Sequence, residues 1–268
     1  MPSLRSLSRA VRQALLASLL ATSALAGSGL GTPALVRAAV AAPGSSPSAA
    51  QLQALESALN GSDQAALRAQ LDSGAGLDPG LIERRWSALR QQFANARWQL
   101  SPGAPDREGQ PTVNLRVTAT RVQGSVTYRL SADQLLVLHS DGRRINGETL
   151  LREQSILRSG EVDLPVSLLI PDVVLTGQRY DVDVIFDEPL DGALVAGGLL
   201  ALTPQQVAAM ESPSLDLAAL GGGGLFKTVQ AAYTPGSQTW AVLLVHPKGV
   251  ITATKRVRVV ADKALLKP

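Results

Sequence analysis

Residues 113–130, VNLRVTATRVQGSVTYRL, decide the fold because apolar and polar side chains alternate along them. This period of two is typical of antiparallel strands that bury one face, and Gly124 marks the turn between two such strands. We expect the sheet to continue to Leu157, with a hairpin turn at Asp141-Gly142. The pattern predicts a curved antiparallel sheet.

Upstream of these strands, apolar residues recur at the spacing of helices. Ser48 and Gln51 have the form of a capping box, and Asp78-Pro79 is typical of a helix N-terminus. The helix that follows carries one apolar stripe, formed by Ile82, Trp86, Leu89 and Phe93. We therefore predict an α+β N-terminal domain over residues 48–160, with helices packed on the curved antiparallel sheet.

Residues 161–262 show almost no helical pattern. Six or seven short apolar runs, separated by turns that contain proline or glycine, predict an all-β C-terminal sandwich, followed by a tail at 263–268. The strand Phe226–Tyr233 follows the glycine run Gly221–Gly224. It fits either a core strand or a sheet edge that docks a partner, and the pattern does not separate the two.

The first 26 residues have the form of an export signal. Three arginines without an acidic residue precede an apolar stretch of 12 residues, which is shorter than the roughly 20 residues that span a bilayer. Small residues place the cleavage site at Ala26 or as late as Ala41, and residues 27–47 form a low-complexity spacer. We therefore expect an exported, periplasmic protein that touches a membrane only through an uncleaved signal.

The charge balance argues against nucleic acid as a partner. The formal charge is +3, but four basic residues precede Ala42, and their removal leaves 21 basic against 22 acidic residues. Cysteine is absent, which excludes disulfides, thiolate metal sites and cysteine nucleophiles. No cofactor motif occurs. We expect neither a cofactor nor a nucleic-acid ligand.

Four residues are candidates for acid–base chemistry in a pocket: Tyr128, Asp133, His139 and Glu153. An isomerase of this type needs a carboxylate base in an apolar site and a hydroxyl or acid that stabilises an enolate. Tyr128 has the strand parity of apolar neighbours and is expected to point inward, either as a catalytic donor or as a core residue. No two of the four have a diagnostic spacing.

Three carboxylates, those of Asp181, Asp183 and Asp187, are expected on one face of a strand, where they could coordinate Ca²⁺. The residues between them form a complementary apolar face, as in any half-exposed sandwich strand. The sequence therefore leaves a calcium site and a solvated acidic face as alternatives.

Lys255, Arg256 and Arg258 form a basic cluster on the last strand. This cluster could oppose the acidic strand within the sandwich, contact a partner or solubilise a sheet edge. All three interpretations stay open at this point.

The succession of helices, one of them with an aromatic stripe, and curved strands resembles the NTF2-like superfamily, also called SnoaL-like or cystatin-like cone folds. The residues that carry the resemblance are Ile82, Trp86, Leu89, Phe93, Trp98 and the strands of residues 113–157. It implies a helix wrapped by a bent sheet around an apolar pocket. The superfamily includes isomerases, dehydratases, ligand carriers and dimerisation modules.

Residues 161–262 resemble a bacterial immunoglobulin-like sandwich. Stretches such as VLTGQRYDVDVIFDEPL (residues 174–190) are similar to uncharacterised exported cyanobacterial proteins, for which the thylakoid lumen is the alternative compartment. This resemblance implies no activity.

The sequence as a whole favours an exported, non-enzymatic protein that binds a protein partner or a small apolar ligand. One alternative is an NTF2-like pocket enzyme of the isomerase or dehydratase type, which a pocket filled by leucine and tryptophan side chains would contradict. The other is a membrane-anchored scaffold that retains its signal. We also expect homodimerisation through the open sheet face.

Overall fold

The computed structural model describes residues 44–160, 164–188, 192–211, 213–220 and 223–266. The predicted export signal, both cleavage sites and most of the spacer lie outside these ranges. Strands make up 50% and helices 20% of the structure.

The described part of the chain contains four α-helices. They are α1 (Ala49–Asn60), α2 (Gln64–Ala69), α3 (Pro79–Gln92) and α4 (Pro204–Ala209), and a 3-10 helix follows at Lys263–Leu266. The predicted capping box of Ser48 and Gln51 begins α1, and Asp78 accepts hydrogen bonds from two backbone N–H groups at the start of α3. None of these helices is both long and apolar enough to span a membrane.

Within the described residues, twelve strands form two sheets. The strands are β1 (Arg97–Pro102), β2 (Val113–Gln123), β3 (Val126–Ser140), β4 (Ile145–Gly160), β5 (Val166–Leu169), β6 (Val173–Leu175), β7 (Arg179–Phe186), β8 (Ala196–Leu202), β9 (Ala218–Ala219), β10 (Gly224–Gln230), β11 (Gly236–His246) and β12 (Gly249–Val260). The larger sheet has nine strands in the order β1-β2-β3-β4-β12-β11-β8-β9, with β6 beside β12. The smaller sheet has the order β10-β7-β5.

The prediction of an α+β N-terminal domain is wrong, because the protein is mainly β and its helices are few. Strands β3 and β4, with 15 and 16 residues, are longer than any of the described helices. The second half of β4 pairs antiparallel with β12, from Glu153↔Arg256 to Gly160↔Gly249. Strands assigned to two domains therefore belong to one continuous sheet.

Two large apolar clusters lie on opposite faces of the nine-stranded sheet. The first joins α1–α3 to β1–β4 and includes Leu55, Ile82, Trp86, Phe93, Trp98 and Leu115, each at most 4% exposed. The second lies between the three-stranded sheet and the β11–β12 region and includes Val182, Val184, Trp240, Val242 and Ala253. The space under the helices is thus filled by leucine, tryptophan and phenylalanine side chains.

Candidate functional site

The four residues predicted to line an acid–base pocket do not meet. Tyr128 and Glu153 both lie on the helix-side face of the sheet, but Tyr128 pairs with Ser159 at one end of the β3–β4 ladder, whereas Gln134↔Glu153 lies in its middle. The guanidinium of Arg121 lies 4.8 Å from the ring centre of Tyr128. The tyrosine is therefore packed under a cation, where an aromatic face is stabilised by the positive charge.

Asp133 and His139 alternate along β3 with the residues that face the helices. Their side chains therefore project from the other face of the sheet. Asp133 forms an ion pair with Arg116 at 2.8 Å. The Nδ1 atom of His139 lies 3.3 Å from the carbonyl oxygen of Gly44. With a filled interior and the four groups separated, the described residues give no support to the isomerase-type alternative.

Glu153 belongs instead to a buried charged cluster between the sheet and α3. Its Oε2 accepts a hydrogen bond from Arg256 Nε at 2.7 Å, and its Oε1 accepts one from Gln134 Nε2 at 2.5 Å. Burial lowers the pKa of Arg85, while the nearby Glu153 raises that pKa. The carboxylate of Glu153 thus compensates buried positive charge.

The three carboxylates predicted to bind calcium are not assembled into a site. Asp181 accepts a hydrogen bond from the Thr228 hydroxyl at 2.7 Å, and Asp183 lies beside Phe226 in the sheet register. Within the described ranges, no group of three or more acidic or histidine side chains is arranged to hold a metal ion. The arrangement matches the solvated acidic face.

The basic cluster of the last strand separates into three environments. The ammonium of Lys255 pairs with Asp172 on the side of the three-stranded sheet, and Arg256 pairs with Glu153 on the helix side. Arg258 reaches a cleft between β3, β4 and the β1–β2 loop. Because β12 lies between β4 and β11, the cluster does not protect a sheet edge.

Strand β10 is an open edge of the three-stranded sheet. Phe186 donates its N–H to Gly223 and Ala231 donates its N–H to Gln178, so the odd-numbered residues of β10 form the ladder with β7. The backbone N–H and C=O groups of Phe226, Thr228 and Gln230 therefore point away from β7. No described backbone or side-chain group bonds to these three N–H groups. The structure thus places this strand at an edge.

The other sheet edges are short or covered. On β1, Asn60 of α1 accepts from the N–H of Trp98 and donates to its carbonyl oxygen, while Glu56 accepts from the N–H of Leu100. Strands β9 and β5 have only two and four residues. Natural sheets commonly protect their edges from pairing with other chains by short edge strands or by a covering helix. The seven-residue β10 has neither protection among the described residues.

The outer face beside this edge is partly apolar. Phe226 is 62% exposed and Leu169 is 57% exposed, on either side of Asp183 in one row across the sheet. Lys227 does not reach this face, because its ammonium lies 5.7 Å from the ring centre of Trp240 on the inner side. The Lys227 side chain is exposed, but its charge lies on the inner face of β10, so β10 places no lysine on the outer face beside the edge.

Comparison with known families finds a match for the second half of the chain. A family model described as a domain of unknown function (DUF8623) matches residues 161–260, the range that holds β5 to β12. No curated protein matches the chain. The NTF2-like and immunoglobulin-like resemblances stay predictions, since this description contains neither.

Proposed function

We propose that the chain is an exported, non-enzymatic interaction protein that binds an extended segment of a partner protein along β10. The observation that carries the proposal is the open edge itself, with the N–H groups of Phe226, Thr228 and Gln230 directed outward. A peptide that adds a strand to a sheet gains affinity from main-chain hydrogen bonds. Alternate side chains of the peptide then supply specificity.

The charges near β10 favour a basic segment over a second copy of this chain. Asp181 and Asp183 of β7 lie on the outer face, and β10 separates them from the incoming peptide. Residues 161–268 contain 8 basic and 11 acidic side chains, so two copies carry the same net charge here. The partner segment is therefore one in which apolar and basic residues alternate.

A peptide titration tests this function. The probe is an eight-residue peptide of alternating valine and lysine, and its control replaces each lysine by glutamate. We expect saturable calorimetric binding of the lysine peptide and binding weaker by about tenfold or more for the glutamate peptide. Hydrogen exchange of the amides of Phe226, Thr228 and Gln230 should slow on binding, because these N–H groups enter the new ladder.

Two variants assign the binding to β10. Thr228→Pro removes one outward N–H but leaves the ladder with β7, and edge strands tolerate proline at such positions. Phe226→Thr removes the apolar contact, and Val122→Thr, which alters a 70% exposed residue of β2, is its control. We expect both β10 variants to keep the circular dichroism spectrum of the unaltered chain and to show no saturable binding of the lysine peptide. Unchanged binding by both, or a dimer that Thr228→Pro dissociates, would overturn the proposal.

A further inference from the structure

A polar cleft lies on the face of β3 and β4 that is turned away from α1–α3. Its volume is about 230 Å³, below the roughly 300–1,000 Å³ of sites for drug-sized ligands. Its lining includes Glu108, Val137, His139, Leu151, Arg258 and Leu265. The size and composition fit a small polar molecule.

The walls of the cleft are fixed without a ligand. The β1–β2 loop is closed by a hydrogen bond from the Gly103 N–H to the Thr112 carbonyl oxygen at 2.9 Å. The Asp106 carboxylate accepts from the Gln110 N–H at 2.7 Å within that loop. The guanidinium of Arg107 donates to the carbonyl oxygen of Ala264, which ties the loop to the 3-10 helix. A preformed cleft reduces the entropy lost on binding.

Opposite charges are present in the cleft without forming an ion pair. Arg258 and Glu108 both line it, yet no ion pair joins them within the described residues. Burial lowers the pKa of Arg258, while Asp172 and Glu108 raise that pKa. The Asp172 carboxylate pairs with Lys255, and Arg258 Nε is buried without a described acceptor. Arg258 as a whole is half-buried and lines the cleft, so the accessible part of its guanidinium favours an anionic group of a ligand.

The cleft also has an apolar floor. Val137 and Leu151 are 3% and 6% exposed, and Leu265 of the 3-10 helix is 43% exposed at the rim. His139 and Thr149 add polar groups beside this floor. An aliphatic body of a few carbon atoms would contact these three side chains.

We propose that this cleft binds a small aliphatic α-amino acid, with its carboxylate on Arg258, its ammonium toward Glu108 and its side chain on Val137 and Leu151. The site is separate from β10, and the inference does not depend on the proposed function. A zwitterion carries a negative and a positive group that complement Arg258 and Glu108, respectively. Each group then replaces water on one charged side chain.

Three probes of similar shape test the inference on the whole chain by calorimetry. L-valine has both charges, isovalerate lacks the ammonium, and isobutylamine lacks the carboxylate. We expect saturable binding of L-valine, and binding weaker by about tenfold or more for each of the other two. Absence of saturation by L-valine up to about 10 mM, or equal binding of isovalerate, would overturn the inference.

Variants locate the two ends of the ligand. Glu108→Gln changes an exposed loop side chain and should abolish the preference for L-valine over isovalerate. Arg258→Lys keeps the charge but loses the planar fork, and should weaken L-valine and isovalerate to the same degree. Arg143→Gln, at the exposed β3–β4 turn, is the control and should bind as the unaltered chain does. If both cleft variants bind L-valine like the control, the site lies elsewhere and the inference is wrong.

Discussion

At the scale of single residues, Glu153 shows how position changes the role of a carboxylate. Its side chain is 4% exposed and that of its partner Arg256 is 7% exposed, so both charges are out of water. A buried ion pair is costly to form, yet removal of one member leaves the other charge uncompensated. Glu153 is therefore needed for stability rather than for acid–base chemistry.

The variant Glu153→Ala tests this role. It removes the acceptor of buried Arg256 Nε and one of the two carboxylates near Arg85, and we expect the free energy of unfolding to fall by about 3–5 kcal/mol. Urea unfolding followed by circular dichroism measures the change. The control is Glu83→Ala, which breaks the more exposed ion pair with Arg68 and should cost about 0–1 kcal/mol. Equal losses in the two variants would contradict the assignment.

Sequence reasoning selected Glu153 as a candidate for acid–base chemistry in a pocket but could not assign its charge partner. Arg256 is 103 positions away, and only the pairing of β4 with β12 brings the two together. Strand parity did place Tyr128 on the inner face, and there it packs against the apolar cluster. Local periodicity reports the direction of a side chain, whereas its charge partner depends on non-local register.

At the scale of elements, helix α1 closes the edge of β1. Asn60 and Glu56 satisfy the outward backbone groups of Trp98 and the outward N–H of Leu100, at 2.7 to 3.1 Å. These side chains take the place of another strand. The edge is therefore closed to pairing with other chains.

The double variant Glu56→Ala/Asn60→Ala should open this edge. The groups freed on β1 can then pair with a second chain, so we expect concentration-dependent self-association that exceeds that of the unaltered protein. Sedimentation velocity over a series of protein concentrations measures it. Gln53→Ala/Ser57→Ala, which alters exposed positions of the same helix, should sediment like the unaltered protein. No difference between the two double variants would refute the role of α1.

Local sequence signals predicted where individual helices and strands form better than they predicted which strands lie side by side. The capping box of Ser48 and Gln51 and the proline at the start of α3 are confirmed, because each acts within one turn of helix. The edge position of β10 was left open, because a half-exposed strand has the same pattern at an edge as beside a neighbour. The exposed Phe226 and the outward N–H groups of β10 distinguish the two cases only in the folded chain.

At the scale of the whole molecule, one sheet connects the two halves of the chain. Eight residue pairs join β4 to β12, and apolar clusters cover both faces of the sheet near this junction. Sequence analysis separated the halves at residue 160 because the first series of predicted strands ends at Gly160. Periodicity cannot show that strands so distant in sequence are neighbours.

The shared sheet predicts that both halves unfold together, because opening either half exposes the β4–β12 ladder and the clusters beside it. Trp86 and Trp98 report on the apolar cluster under the helices, and Trp240 reports on the cluster beside the three-stranded sheet; each is at most 4% exposed. Tryptophan fluorescence of Trp240→Phe and of the double variant Trp86→Phe/Trp98→Phe isolates the two signals. For each variant, we expect its fluorescence transition in urea to coincide with its circular dichroism transition. If fluorescence and circular dichroism report separate midpoints within either variant, the halves are independent domains, because a shared ladder would couple their unfolding.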